Sequence, residues 1–239
     1  MSSSDIEQID AGEAIAGAAY EAIEGLEAGD SRRAFLTKAG LAGGALIGGG
    51  ALIGALTPAT ASAAGKGRPP AKFGKGDIGI LNYALTLEYL EAAFYNEATR
   101  NQNRRSFLKT PQEKAFLKQT TADENAHVKF LRKALGRRAV AAPKVDFGAT
   151  TRSRDAFIKT AVALENTGVG AYSGQALNIK SSAYAAAALS IWSVEARHAS
   201  VAGLLLRPIP ANISPDGAFD QPKTAGQVLK AVEATGFLV

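Results

Sequence analysis

The chain has 239 residues, of which 46% are hydrophobic and none is cysteine. This length allows one or two domains, and the lack of cysteine excludes disulfides, zinc–thiolate sites and thiolate chemistry. Any metal site must therefore use Asp, Glu and His, which suit iron, manganese or zinc. Residues 1–63 carry 3 Lys/Arg and 8 Asp/Glu, whereas residues 64–239 carry 24 and 14. We interpret this basic surplus as solubility and predict no nucleic-acid partner.

The N-terminal segment has the three parts of an export signal. Its paired arginines, Arg32 and Arg33, are followed by Phe-Leu and Lys38, and this stretch resembles the twin-arginine motif. An apolar run over 39–56 and two overlapping Ala-x-Ala sites within 59–63 come next. We therefore predict that 1–63 is an N-terminal extension with a cleaved signal peptide. The alternative is a membrane anchor, since the apolar run is 18 residues long.

This resemblance implies export through the twin-arginine translocation machinery to the periplasm, cell envelope or exterior. That route carries folded, often cofactor-loaded proteins, so it lends separate support to a metal site. Residues 64–76 are rich in Gly and Pro and are interpreted as a flexible leader.

The first predicted helix runs from an Asp77 cap to about Arg100 and is apolar nearly all round, which is typical of a buried helix. Glu88 lies on its apolar stripe, where a carboxylate is unfavourable unless it is paired or bound to a cation. Glu91, three residues later, is the rival candidate ligand.

The second predicted helix begins at the capping box Thr110-Pro111-Gln112-Glu113 and ends at Gly136. It carries Glu124 and His127, a Glu-x-x-His pair that shares one helix face. Residues 137–152 show no periodicity and are too long for a simple turn. They predict a crossover connection between the second and third helices.

The third predicted helix begins at Ser153 or Asp155, ends near Leu177, and carries Glu165 within an apolar run. Its Gly168 and Gly170 indicate close packing or a bend. A fourth helix is predicted from a Ser181 cap to about Leu206, with the second Glu-x-x-His pair, Glu195 and His198. The tail, 207–239, is predicted to hold one short helix over 224–234.

Both histidines of the chain therefore lie in Glu-x-x-His pairs, and each pair follows a helix with a buried Glu. Tyr95 lies seven residues after Glu88, as Tyr172 does after Glu165, which favours Glu88 over Glu91. One Glu from each of two helices and Glu-x-x-His from two more make a di-metal site. The alternative is a buried Glu–His ion-pair network without metal, which leaves carboxylates in excess. For the two tyrosines we expect packing with a hydrogen bond to a ligand rather than a radical role.

Residues 77–206 resemble the ferritin-like superfamily, specifically the exported ferritin-like proteins that include desiccation-related proteins. Residues 81–95, LNYALTLEYLEAAFY, carry most of this resemblance. It implies an all-α ferritin-like four-helix bundle with a long crossover connection between helices 2 and 3. It implies Glu124 and Glu195 as the bridging pair and Asp123, just before Glu124, as a residue that orients a histidine. Val194 does not match the equivalent position. The implied metal ligands are Glu88, Glu124, His127, Glu165, Glu195 and His198.

The function expected from these features is an exported protein with two Fe or Mn ions that acts on oxygen or peroxide, in oxidative or desiccation stress. Peroxidase, catalase-like and ferroxidase activities stay open alternatives. A different reading is a non-catalytic metal-binding protein that protects the cell envelope. Ferritin-type iron storage would require a closed shell, and the oligomeric state is left open.

Overall fold

The computed structural model describes residues 67–207 and 219–239. The predicted signal peptide lies outside these residues, and the division at residue 63 stays a prediction. In the described part, the only extended pairing is a single bridge between Val145 and Leu238, and none of the helices is both long and apolar enough to cross a bilayer. The all-α prediction is therefore confirmed. The helices are α1 (Gly76–Arg105), α2 (Pro111–Leu135), α3 (Arg154–Gln175), α4 (Ser182–Leu206) and α5 (Ala225–Ala234).

The predicted starts of α2 to α5 agree with the caps that the structure shows. Thr110 and Glu113 form a reciprocal capping box, with Glu113 N donating to Thr110 Oγ1 at 3.2 Å and Thr110 N to Glu113 Oε2 at 3.0 Å. Ser153, rather than Asp155, accepts from the first turn of α3. Ser181 and Thr224 do the same for α4 and α5. These side chains satisfy backbone N–H groups that a helix start leaves without partners.

The start of α1 differs from the prediction. Lys75 is the last extended residue before the helix, so Asp77 already lies inside the first turn and cannot cap it. Its carboxylate instead accepts from Lys180 N at 2.9 Å and Ser181 N at 2.8 Å. Asp77 therefore stabilises the turn that begins α4. The helix also extends past Arg100 to Arg105 and ends at Ser106 with a left-handed backbone.

The bundle consists of two antiparallel pairs, since α1 packs mainly on α2 and α3 mainly on α4. The crossover from α2 to α3 is anchored by Phe147, which is buried against Phe94 and Phe237 at centroid distances of 5.4 and 5.1 Å. Asp146 N also donates to Phe237 O at 2.8 Å. The crossover and the C-terminal segment thus cover one end of the aromatic core.

Part of the predicted leader is held against the bundle. Gly67 O accepts from Ala225 N and from Gln175 Nε2, both at 2.9 Å, and Phe73 is buried against Tyr83. Lys223 N donates to Gly170 O at 2.9 Å, which shows that close packing explains this helical glycine. These contacts join the two ends of the described chain on α3.

Candidate metal centre

The six predicted ligands converge inside the bundle. None of the four glutamates has any exposed surface, and His127 and His198 are 8% and 6% exposed. They form two groups of possible ligand atoms, each within 4.8 Å of one another, and Glu124 and Glu195 belong to both. The groups are Glu88, Glu124, His127 and Glu195, and Glu124, Glu165, Glu195 and His198.

Each imidazole turns its Nδ1 towards the carboxylates. His127 Nδ1 lies 3.2 Å from Glu88 Oε2, 3.2 Å from Glu195 Oε1 and 3.4 Å from Glu124 Oε2. His198 Nδ1 lies 3.0 Å from Glu124 Oε1 and 3.4 Å from Glu165 Oε2. One imidazole therefore belongs to each group, and the two groups meet at Glu124 and Glu195.

Many polar atoms of this centre lack hydrogen bonds. Buried polar atoms normally have a partner, and leaving one without a partner costs about 1–3 kcal/mol. Several buried side-chain atoms without a hydrogen bond in the described residues nevertheless belong to this one cluster. They are Glu124 Oε1, Glu165 Oε2, both carboxylate oxygens of Glu195, and His198 Nδ1. All but Glu195 Oε2 lie at 3.0–3.4 Å in the Glu–His contacts given above, without hydrogen-bond geometry. Because these are hard oxygen and imidazole donors that point at a common interior, the donor set fits a pair of divalent cations.

The two tyrosines bond to the carboxylates of the opposite pair. Tyr172 OH donates to Glu88 Oε1 at 2.5 Å, and Tyr95 OH donates to Glu165 Oε1. The sequence places each tyrosine on the same helix face as the glutamate seven residues before it. In the structure, the Tyr95 hydroxyl reaches from α1 to Glu165 on α3, and the Tyr172 hydroxyl reaches from α3 to Glu88 on α1. Each hydroxyl therefore holds one of the two unshared glutamates.

The support of the two histidines is unequal, as the sequence indicates. His198 Nε2 lies 3.0 Å from Asp123 Oδ2, so this carboxylate fixes the ring of a histidine on another helix. Val194 occupies the equivalent position before Glu195 and offers His127 no such partner. Gln119 donates to Asp123 in turn and orients it.

Glu91, the rival of Glu88, lies outside both groups although it is only 3% exposed. Its Oε1 faces Gly168, where a Cβ would lie 3.3 Å from this oxygen and 2.9 Å from Glu195 Oε2. Gly168 follows Glu165 by three residues, as Glu91 follows Glu88. Gly168 on α3 thus leaves space for the carboxyl group of Glu91 on α1. Glu91 and Gly168 each lie three residues after an unshared glutamate, so this common spacing could have shown from the sequence that the two positions are equivalent in the two halves.

Burial and mutual repulsion shift the pKa values of these carboxyl groups. Burial raises the pKa of Glu124 to about 7, against the hydrogen bonds of the histidines. Burial and the neighbouring carboxylates raise the pKa of Glu195 and of Glu91 well above their usual range. Burial would also raise the pKa of Glu88, but the charge and hydrogen bond of His127 hold it below its ordinary value. The cluster without cations therefore retains protons at neutral pH.

Four helices bring two overlapping carboxylate–histidine groups into their common core, an arrangement compatible with a di-metal carboxylate bundle. The sequence model of the ferritin-like domain matches residues 76–208, more than half of the chain. The protein belongs to the ferritin-like domain family. A search of curated proteins found no match.

Proposed function

We propose that this chain is an exported protein that binds two Fe or Mn ions and acts on oxygen or peroxide. The observation that carries the proposal is the pair of shared, fully buried carboxylates, Glu124 and Glu195. Glu195 Oε2 has no partner within the described residues, and Glu124 Oε1 and Glu195 Oε1 each meet only a histidine Nδ1, at 3.0 and 3.2 Å, without hydrogen-bond geometry. A structural ion-pair network would satisfy such atoms, because a buried carboxylate without a partner is costly.

The charge of the centre supports two cations rather than one. Four glutamates surround two imidazoles, so two protonated histidines leave the carboxylates in excess. Two divalent cations would balance four carboxylates and would give every unbonded atom a partner. Glutamate oxygens and imidazole nitrogens suit iron and manganese equally, so the donor set supports either metal.

The metal pair, when bound, supplies the electrons and Lewis acidity for reaction with oxygen or peroxide. The protein positions the ligands. Tyr172 and Tyr95 fix the carboxylates of Glu88 and Glu165, and Asp123 fixes the His198 ring. With no exposed surface on the four glutamates, bulk water is kept from the reacting centre.

Export is supported by the twin-arginine motif at Arg32 and Arg33. A centre formed by residues from four helices must be loaded in the folded bundle, and the twin-arginine route carries folded chains. We therefore infer that the bundle acquires its metal before export and acts outside the cytoplasm, in oxidative or desiccation stress.

The proposal is tested by metal content and peroxide consumption, with Glu88→Gln and Glu91→Gln as matched variants. We expect two Fe or Mn ions per wild-type chain. Glu88→Gln should bind less metal, because it removes a charge from one group. Glu91→Gln should keep two ions, because Glu91 belongs to neither group. Elemental analysis and loss of hydrogen peroxide are the measurements. Folded wild-type protein from the native host that contains no Fe or Mn would refute the proposal.

The complete burial of the glutamates also favours a second candidate, a non-catalytic metal-binding protein that protects the cell envelope. In that case the metal would serve as a strut between the helices. The same experiment separates the two, since the second candidate predicts full metal content and higher thermal stability without consumption of peroxide.

A further inference from the structure

The two halves of the bundle differ at one position beside the metal centre. Glu124 and Glu195 are equivalent, and the residue before each is Asp123 in one half and Val194 in the other. Asp123 reaches across to His198 Nε2. The equivalent partner for His127 would come from residue 194, where valine has no polar atom. The His127 ring therefore lacks the carboxylate that its counterpart has.

The outer edge of the His127 ring has no hydrogen-bond partner in the part of the chain that the structure describes. Its Nδ1 faces the three carboxylates of its group, so Nε2 lies on the opposite side of the ring. Within residues 67–207 and 219–239, Nε2 accepts or donates no hydrogen bond. An imidazole whose Nδ1 binds a metal carries its proton on Nε2, so this edge presents an N–H donor.

A groove of about 650 Å³ between α2 and α4 opens over this ring. The imidazoles of His127 and His198 line it together with apolar residues such as Ala126, Val194 and Val201. Gln112, Gln119 and Asp123 also line it, and the Asp123 carboxylate is already bonded to His198 Nε2 and Gln119 Nε2. Its volume suits a small organic molecule and is far larger than oxygen or peroxide requires. The groove thus combines apolar wall residues, among them Ala115, Phe116 and Val201, with polar side chains around the two imidazoles.

Two further polar groups line the same groove without partners. The hydroxyl of Thr120, a residue that is 1% exposed, has no hydrogen bond within the described residues. The Arg197 guanidinium, one turn after Val194, forms no ion pair or hydrogen bond there. A hydroxyl, a guanidinium and an imidazole N–H together offer hydrogen-bond donors to one anion. A buried hydroxyl without a partner is itself an indication of a ligand.

We propose that this groove binds a small carboxylate with a short hydrocarbon chain, which bonds to His127 Nε2 and pairs with Arg197. The ligand's carboxylate takes the role that Asp123 has towards His198. A planar carboxylate matches the guanidinium fork, and the apolar walls accommodate the hydrocarbon part. The inference rests on the proposed metal centre for the tautomer of His127. The groove itself, the Thr120 hydroxyl and the Arg197 guanidinium do not depend on it.

The test uses butyrate as the probe and isothermal titration of the whole chain, loaded with zinc as a diamagnetic substitute. Wild-type protein should bind butyrate, and Arg197→Gln should weaken binding tenfold or more. Val194→Asp should abolish it, because the new carboxylate occupies the same place. Lys129→Gln, which removes an exposed charge from the same bundle, is the matched control and should bind like the wild type.

Histidine NMR gives a second readout, since the chain has 2 His. Butyrate should shift the Nε2 signal of His127 more than that of His198, whose signal is assigned by its response to Asp123→Asn. The proposal is overturned if butyrate does not bind, if Arg197→Gln leaves binding unchanged, or if inorganic phosphate binds as tightly as butyrate. Metal content is measured separately, so a failed metal centre and a failed carboxylate site give different results.

Discussion

Gly168 shows how one residue keeps the two halves of the centre unequal. A Cβ at this position would lie 2.9 Å from Glu195 Oε2 and 3.3 Å from Glu91 Oε1. Real Cβ atoms essentially never come as close as the first distance. A side chain at this position would therefore displace the end of a shared carboxylate from α4, whereas the backbone conformation of α3 does not itself need glycine.

We expect Gly168→Ala to lower metal affinity about tenfold, because displaced supporting groups typically cost that much at a metal site. The measurement is a metal-binding titration. Gly203→Ala is the matched control, since its Cβ meets nothing within 4 Å and also lies inside a helix. It should leave metal affinity unchanged and raise the free energy of unfolding by about 0.5–1 kcal/mol. Equal metal affinity in both variants would contradict the argument.

The residues of the candidate centre could be predicted because helical spacing decides which side chains share a face. A buried Glu in an apolar stripe and a Glu three residues before a His are local patterns. The partner of each tyrosine could not be predicted, because it depends on how α1 and α3 pack. For Asp123 the resemblance implied that it orients a histidine, but not which one, because its contact with His198 crosses from α2 to α4.

At the scale of helices, Asp77 links the start of α1 to the turn before α4. Its two carboxylate oxygens accept from Lys180 N and Ser181 N. Cap prediction from sequence assumes that a polar residue caps its own helix, and here the local pattern gave the wrong answer. The chain was already helical at Asp77, so its side chain was available to a segment far away in sequence.

We expect Asp77→Ala to lower the free energy of unfolding by about 1 kcal/mol, since two backbone N–H groups lose their acceptors. Denaturant unfolding of the whole chain measures this change. Asp155→Ala is the control, because that side chain is 78% exposed and bonds only to its neighbour Arg154. Its effect should stay below about 0.5 kcal/mol. A cost for Asp155→Ala as large as that for Asp77→Ala would show that a general charge effect is responsible.

At the scale of the whole molecule, the bundle and its crossover could be predicted from the helix lengths, the caps and the one long connection in the sequence. The position of the C-terminal segment could not be predicted in this way. Val228 and Val232 predict a buried face on α5, but the sequence does not say which surface receives it. That surface is decided by hydrogen bonds such as Lys223 N to Gly170 O, between residues far apart in the chain.

Several ligand side chains of the metal-free centre have raised pKa values and are therefore protonated near neutral pH. Burial opposes a charge on His198, but Asp123, Glu124 and Glu165 raise its pKa to about 12. The pKa of His127 is raised as well, mainly by the charge of Glu88. Both imidazoles are therefore protonated at neutral pH before metal binds, and Glu124, with a pKa of about 7, is partly protonated.

Metal affinity should consequently rise with pH, because each proton that the ligands release adds about one decade of affinity per pH unit. Over about pH 5 to 8 we expect a slope of two or more decades per unit, from both imidazoles and Glu124. Competition with a chelator of known affinity measures it. The metal-free bundle should stay folded in this range, although its free energy of unfolding falls as pH rises, because the folded centre keeps protons on Glu124 and the imidazoles that the unfolded chain loses. Burial would raise the pKa of Glu113, but hydrogen bonds from Thr110, Arg154 and Lys109 hold it at about 2, so its stabilising contribution is lost only as pH falls below its ordinary value. Circular dichroism that stays constant while affinity changes would separate proton release from unfolding, and a flat affinity profile would contradict the prediction.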